Sequence, residues 1–226
     1  LILDDEGKKM SKSSKNGVSP LEVIDKYCAD VARMHVHFLA GYEDNCQWTF
    51  AGIEGIVNFL DKVWKLPEII KGDQISPEHE VELNQLIKKA GEDYENLKLN
   101  TAISACMIFL KKIKEDGFIT KEELRQFLIV LNPLAPHITS EIYENVFKTD
   151  ILDSTWPKFD ESKLTKNEIE YPIQVNGKLK GTIMVDRKIS KDDLLEKIKA
   201  DGKVQIDFDN IKKVIFVPEK IINFIV

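Results

Sequence analysis

Ten residues near the start of the chain, Lys8-Lys9-Met10-Ser11-Lys12-Ser13-Ser14-Lys15-Asn16-Gly17, hold four lysines and three serines and close on a glycine. A run of that composition has almost nothing to bury, so it reads as a loop. Lysine ammonium groups are point charges on flexible stems, suited to a polyphosphate whose charge shifts as a bond breaks. Serine and glycine leave such a loop soft enough to close on a ligand and reopen. Other reactive side chains are sparse. His35 and His37 are two apart and fall on different sides of a helix, which argues against a shared metal. Cys28, Cys46 and Cys106 are odd in number, far apart and form no C-x-x-C pair, so neither a disulfide framework nor a zinc ribbon is indicated, and no metal site is expected.

The 226 residues suffice for one large domain or two modest ones, and a hydrophobic share of 43% is that of a folded protein. With no run of about 18 apolar residues and no signal-peptide plan, the expectation is a soluble, cytoplasmic monomer without a membrane partner. The net charge of −6 is unevenly spread. Residues 170–226 carry 11 Lys and Arg against 9 Asp and Glu, a surplus of two, whereas the rest carries 21 against 29. A weak basic balance therefore lies at the two ends. Leu1-Ile2-Leu3 reads like the end of a strand running into a turn at Asp5-Glu6-Gly7. Having no partner upstream, it suggests a piece of a longer polypeptide.

A mainly α region must position the loop. Ser19-Pro20-Leu21-Glu22 is a helix start, a second helix is expected over 31–39, and 41–49 reads as loop. Ile53, Ile56, Val57, Leu60, Val63 and Trp64 form one apolar stripe of 3.6-residue period. Ser76-Pro77 opens a helix carrying Leu83, Leu86, Ile87, Ala90, Tyr94 and Leu97, and Leu99 to Ile113 continue the pattern. Thr120-Lys121-Glu122-Glu123 is a capping box for a helix ending at Asn132-Pro133, and Pro136 to Phe147 is the last helix, with His137 expected to satisfy a local hydrogen bond at its start. Short connections make these an antiparallel bundle, with Trp48, Trp64 and Trp156 as packing residues. Residues 149–168 have no period. Alternation then begins: Tyr171, Ile173 and Val175, an Asn176-Gly177 turn, and Leu179 to Val185 predict a hairpin. A helix from Ser190, with Ile189 and Leu194 spaced as a hydrophobic staple, and strands near 214–217 and 221–226 complete a ββαββ unit. The fold class is mainly α, then α+β. Domain bounds follow as loop 1–18, connector 19–50, bundle 51–157, linker 158–169 and small C-terminal domain 170–226.

Lys9-Met10-Ser11-Lys12-Ser13 is the K-M-S-K-S sequence of class I aminoacyl-tRNA synthetases, and the chain resembles that family, the bacterial leucyl type in particular, along nearly its whole length. Lys15-Asn16-Gly17-Val18-Ser19-Pro20, Tyr27-Cys28-Ala29-Asp30, Ile53-Glu54-Gly55, Leu99-Asn100-Thr101-Ala102-Ile103, Leu131 to Ile138, Trp156-Pro157, Val175-Asn176-Gly177-Lys178 and Ile211 to Pro218 follow in the family's order. Several blocks recur in valyl and isoleucyl relatives, and the Val-Asn-Gly-Lys hairpin before a short ββαββ terminus favours leucyl. The resemblance implies that the leucine carboxylate attacks the α-phosphate of ATP, pyrophosphate leaves, and the leucyl group passes to the terminal ribose of tRNA(Leu). Under it, Lys12 and, secondarily, Lys9 act catalytically on ATP, which is bound as substrate, with Mg in the parent enzyme, through Lys9, Met10, Ser11, Lys12 and Ser13. Residues 19–50 become the stem-contact connector, and the bundle the anticodon-binding domain.

The family's H-x-G-H motif, leucine pocket and editing domain lie upstream, and His35, His37, His79 and His137 do not form H-x-G-H. Leucine and ATP would be reached only through that missing catalytic domain, so the fragment alone is expected to be inactive. Shape-directed RNA contact relies on phosphates and 2′-hydroxyls, which nominates Lys178, Lys180, Lys212, Lys213 and Lys220 for tRNA. Two readings stay open beside the leucyl one: a valyl or isoleucyl enzyme, and a non-catalytic helical scaffold that binds protein. The family usually has glycine where Cys28 and Glu219 stand, and a site needing positive φ would make either substitution cost about 1 kcal/mol.

Overall fold

The computed structural model describes residues 2–4, 6–41, 43–165, 168–202, 204 and 208–226, in two units, Leu1–Leu164 and Thr165–Val226. In the first, β1 (Ile2–Leu3) leads into the lysine loop, and α1 (Pro20–Lys26) and α2 (Ala29–Leu39) follow. Next, β2 (Cys46–Gln47) pairs in parallel with β1, Ile2 facing Cys46 and Leu3 facing Gln47. The opening strand therefore has a partner, supplied from the stretch that the sequence reads as loop.

Five helices make the bundle: α3 (Ile53–Trp64), α4 (Glu80–Glu95), α5 (Leu99–Asp116), α6 (Lys121–Leu131) and α7 (Pro136–Phe147). Their apolar stripes merge into one core that includes Ile56, Leu60, Leu83, Ile87, Ile103, Phe109, Phe127 and Ile142. Phe59 belongs to that core, whereas Trp64, at the last position of α3, is 51% exposed. Trp64 lies on the flank of the stripe, in line with the half-buried Val57, while its neighbour Val63 faces the core. Trp48 and Trp156 do pack, edge-on to His35 at 4.9 Å and to Tyr94 at 5.6 Å.

The capping box forms as read: Thr120 Oγ1 accepts from Glu123 N at 3.3 Å, and Glu123 Oε2 accepts from Thr120 N at 2.8 Å. Two other helix starts differ from the sequence reading. Ser76 does not cap α4, which begins only at Glu80, because the Ser76 N–H and Oγ both donate to Glu123 Oε1, each at 2.7 Å. His137 Nδ1 lies 2.7 Å from Oδ1 of the buried Asp30, 107 residues away, and the same carboxylate accepts from Ile138 N at 2.8 Å. Pro136 has no N–H to give, so a carboxylate from α2 caps α7.

The aperiodic stretch after α7 is held to the bundle as far as Leu164, which revises the linker expected over 158–169. Asp160 N donates to Asn84 Oδ1 at 2.7 Å, Leu164 O accepts from Gln85 at 2.7 Å, and Lys88 lies 3.0 Å from Glu161. Trp156 packs over Gly91 of α4, where a Cβ would still meet the indole nitrogen at an ordinary contact of 3.5 Å.

In the second unit, β3 (Glu168–Val175), β4 (Lys178–Asp186), β5 (Lys213–Val217) and β6 (Ile221–Ile225) form a sheet of order β4-β3-β6-β5, with α8 (Lys191–Asp201) between β4 and β5 in the chain. The two hairpins are antiparallel, and β3 runs parallel to β6. Tyr171, Ile173, Val185, Leu194, Ile198, Ile222 and Phe224 are its buried core. Asn176 and Gly177 take φ of 49° and 77°, the positive pair that a two-residue hairpin turn demands.

Candidate nucleotide loop and nucleic-acid interface

The lysine loop is organised at its base. Met10 N donates to Ile2 O at 3.3 Å, Lys9 bridges Leu3, and Trp48 N donates to Leu3 O at 2.8 Å, which ties loop, β1 and β2 together. Asp4 is the hub. Its Oδ1 accepts from Lys8 N at 2.7 Å and Glu6 N at 3.1 Å, and its Oδ2 from the Asn16 amide at 2.7 Å. The Asn16 amide first, and then the Lys8 N–H, hold the Asp4 carboxyl below its ordinary value. Asn16 also accepts from Ser11 N at 3.0 Å and donates to Lys9 O at 3.3 Å, so one side chain spans the loop from its last residues to its first.

Beyond that clasp the tip holds itself. Ser11 Oγ lies 2.7 Å from Ser14 Oγ and 3.1 Å from Ser13 Oγ, and accepts from Ser14 N at 3.1 Å. Lys8 is spent on Glu6 at 2.6 Å. The ammonium groups of Lys9 and Lys12 have no hydrogen-bond or ion-pair partner among the described residues, and both lysines are exposed, whereas Met10 and Ser11 are half-buried and Ser13 is exposed. Lys15 is likewise exposed and without a side-chain partner among the described residues, so the arrangement offers three unspent ammonium groups, two of them within K-M-S-K-S, on a loop whose base is fixed. Sequence reasoning missed Asp4 and Asn16, the residues that fix it.

The five C-terminal lysines do not form one patch. Lys178 faces Val175, Val175 faces Phe224 across the parallel pair, and Phe224 faces Val214. Lys178 and the Lys212-Lys213 pair therefore lie at one end of the sheet, three strand spacings apart, or roughly 14 Å. Lys180 is beside them as the extra residue of a bulge, between Leu179 facing Gln174 and Gly181 facing Ile173. Lys220 sits in the β5–β6 turn, its N–H donating to Val217 O at 3.1 Å, at the opposite end of β5. Glu219, beside it, has φ of 59°, the left-handed region; Cys28, at φ 166°, is merely extended. Of the two departures from glycine, only Glu219 carries strain.

Residues 80–196 match the anticodon-binding domain of tRNA ligase, more than half of the chain. The chain belongs to that family. Residues 1–49, which contain the lysine loop, match the class I tRNA synthetases for isoleucine, leucine, methionine and valine. A leucine–tRNA ligase of Alkaliphilus oremlandii (strain OhILAs) is 36% identical over 230 residues, a match covering all of this chain and 29% of that protein. The chain thus spans under a third of that relative's length. The crystal structure of the AgnB2 LeuRS of Agrobacterium radiobacter K84, in a ternary complex with tRNA and LeuAMS, aligns over all of this anticodon-binding-family chain and 32% of its own, with TM-score 0.72 and 26% identity. Among the described residues no helix is long and apolar enough to cross a membrane.

Proposed function

We propose that the chain is the C-terminal part of a leucyl-tRNA synthetase, contributing the K-M-S-K-S loop and the tRNA-binding domains to an enzyme that joins leucine to tRNA(Leu) through leucyl-adenylate. The observation that carries this is the end-to-end match to a leucine–tRNA ligase at 36% identity, with the loop motif intact at its start. Leucine carboxylate attacks the α-phosphate of ATP, and the developing negative charge on the leaving pyrophosphate is met by Lys12, with Lys9 beside it. Met10, Ser11 and Ser13 shape the loop around those two charges. Magnesium would arrive with ATP as part of the substrate; the loop's free donors are ammonium groups, which cannot ligate a cation, and we assign it no metal.

A preorganised donor aimed at developing charge is worth about 3 kcal/mol when water is excluded, whereas a charge pair at about 4 Å in open water is worth about 1 kcal/mol. Lys12 is exposed in this chain, so its contribution depends on a cavity made with an upstream domain. Four of the basic residues, Lys178, Lys180, Lys212 and Lys213, would meet tRNA phosphates as a group, with Lys220 making a separate contact. Two measurements test the reading. The purified chain should show no ATP–pyrophosphate exchange, and it should shift tRNA(Leu) in a gel at concentrations where bulk RNA stays free. Turnover by the chain alone, or equal binding of any RNA, would refute it.

A further inference from the structure

A groove of about 390 Å³ runs between α3 and α5, floored by Phe59, Met107 and Leu110 and rimmed by Lys62, Lys111 and Lys114. Phe59 and Leu110 belong to the bundle core, and the three lysines are exposed. Glu115 is the one acid on the lining, 3.6 Å from Lys111, which leaves the groove with a surplus of two positive charges on a chain whose net charge is −6. Gly55 also opens onto the groove. A helical glycine costs stability relative to alanine and is ordinarily explained by a neighbour that needs the space. Here that explanation fails, because a Cβ on Gly55 would meet nothing within 4 Å.

We propose that this groove seats the sugar–phosphate backbone of RNA, with Lys62, Lys111 and Lys114 on phosphates and Gly55 admitting close approach of the strand. The inference rests on the tRNA-binding reading above and adds a contact surface on the bundle, remote in sequence from the C-terminal lysines. Charge selects the occupant: three unburied ammonium groups around an apolar floor suit a polyanion with a sugar face. Lys111 and Lys114, three residues apart on one helix, stand roughly 5–6 Å apart at Cβ, on the scale of successive phosphates in a strand.

The test is filter binding of the full chain to tRNA(Leu) transcript over a salt series. The Lys62→Ala/Lys111→Ala/Lys114→Ala variant should bind more weakly and flatten the slope of log K against log salt by about 2 to 3. Gly55→Gln keeps every charge and replaces glycine by a better helix former, so it should fold at least as stably while its side chain fills the groove, and it should weaken RNA binding several-fold. A Lys212→Ala/Lys213→Ala variant is the control. If the wild-type chain does not bind, the functional reading itself fails. If it binds, and the control weakens it while both groove variants match wild type in affinity and slope, the groove inference alone is overturned. That outcome would leave the groove to a protein partner or to solvent.

Discussion

Glu123 is fully buried, and its carboxylate meets four polar groups: Ser76 N and Oγ on one oxygen, Thr120 N and His79 Nδ1 on the other, at 2.7 to 2.9 Å. His79, also fully buried, turns its other nitrogen to Asp116 at 3.0 Å. One side chain thus joins the approach to α4, the end of α5 and the start of α6. Glu123→Gln keeps the shape but makes one end of the group a donor. Whichever way the amide sits, that end faces a buried backbone N–H, of Ser76 or of Thr120. An unpaired buried donor costs about 1–3 kcal/mol, and exchanging a charged acceptor for a neutral one weakens the remaining bonds by roughly 1 kcal/mol more. The expected loss is about 3 kcal/mol, or roughly 6–12 °C in the melting temperature of a unit this size. Urea unfolding followed by tryptophan fluorescence isolates it, because Trp48, Trp64 and Trp156 all lie in the first unit. The pH dependence adds a second arm. Burial pushes the Glu123 carboxyl up, but the donors from Thr120, His79 and Ser76 together outweigh it and leave the value lowered. A carboxyl lowered on folding contributes fully above its unfolded value, about 4.3, and loses that contribution as pH falls through the folded one. The gap between wild type and variant should therefore be full at pH 6 and shrink toward pH 3. A loss under about 1 kcal/mol at pH 6, or a gap that widens on acidification, would refute the role of the carboxylate.

Glu219→Gly should stabilise the C-terminal unit by up to about 1 kcal/mol by relieving a left-handed residue, less what is lost with the exposed Arg187–Glu219 pair at 2.7 Å; hydrogen exchange on β5 and β6 reads it. Cys106 is buried in the bundle and its thiol is pushed up to about 12, so a thiol reagent at pH 8 should label Cys28 quickly and Cys106 only after denaturation. Asn16→Ala should speed proteolytic cutting between Lys8 and Gly17 while leaving the bundle's urea midpoint unchanged, since among the described residues Asn16 bonds within the loop and its base.

Local chemistry in the sequence was a good guide wherever a local signal decided the structure. The Thr120–Glu123 capping box and the Asn176-Gly177 turn each need only neighbouring residues, and each forms. It failed where a distant group competed. Ser76-Pro77 has the form of a helix start, yet Ser76 spends its donors on Glu123, 47 residues on, and α4 begins later. His137 was expected to find a nearby partner, and Asp30 in α2 takes it. Trp64 continues the apolar period of α3 but falls on the edge of the stripe, beside the buried Val63, where the helix meets solvent. Two-residue strands such as β2 are too short for alternation to show, so the partner of β1 could not be read. The loop's lysines were legible from composition, but the Asp4–Asn16 clasp was not, because a loop has no period from which a contact between its two ends can be inferred.

That clasp bears on how the loop can work. A loop free along its whole length would lose backbone entropy of about 1–2 kcal/mol per residue on closing over a ligand, more than one exposed charge pair returns. Here Asp4 and Asn16 have already fixed the two arms, and the serine hydroxyls order the tip. What remains to be immobilised on binding is chiefly the side chains of Lys9 and Lys12, at a cost up to about 2 kcal/mol each. A preorganised contact in a dry site is worth about 3 kcal/mol, so the balance turns favourable only there. On the proposed reading, arms fixed in this way would leave the loop ineffective in open water and effective only where an enclosing domain excludes it.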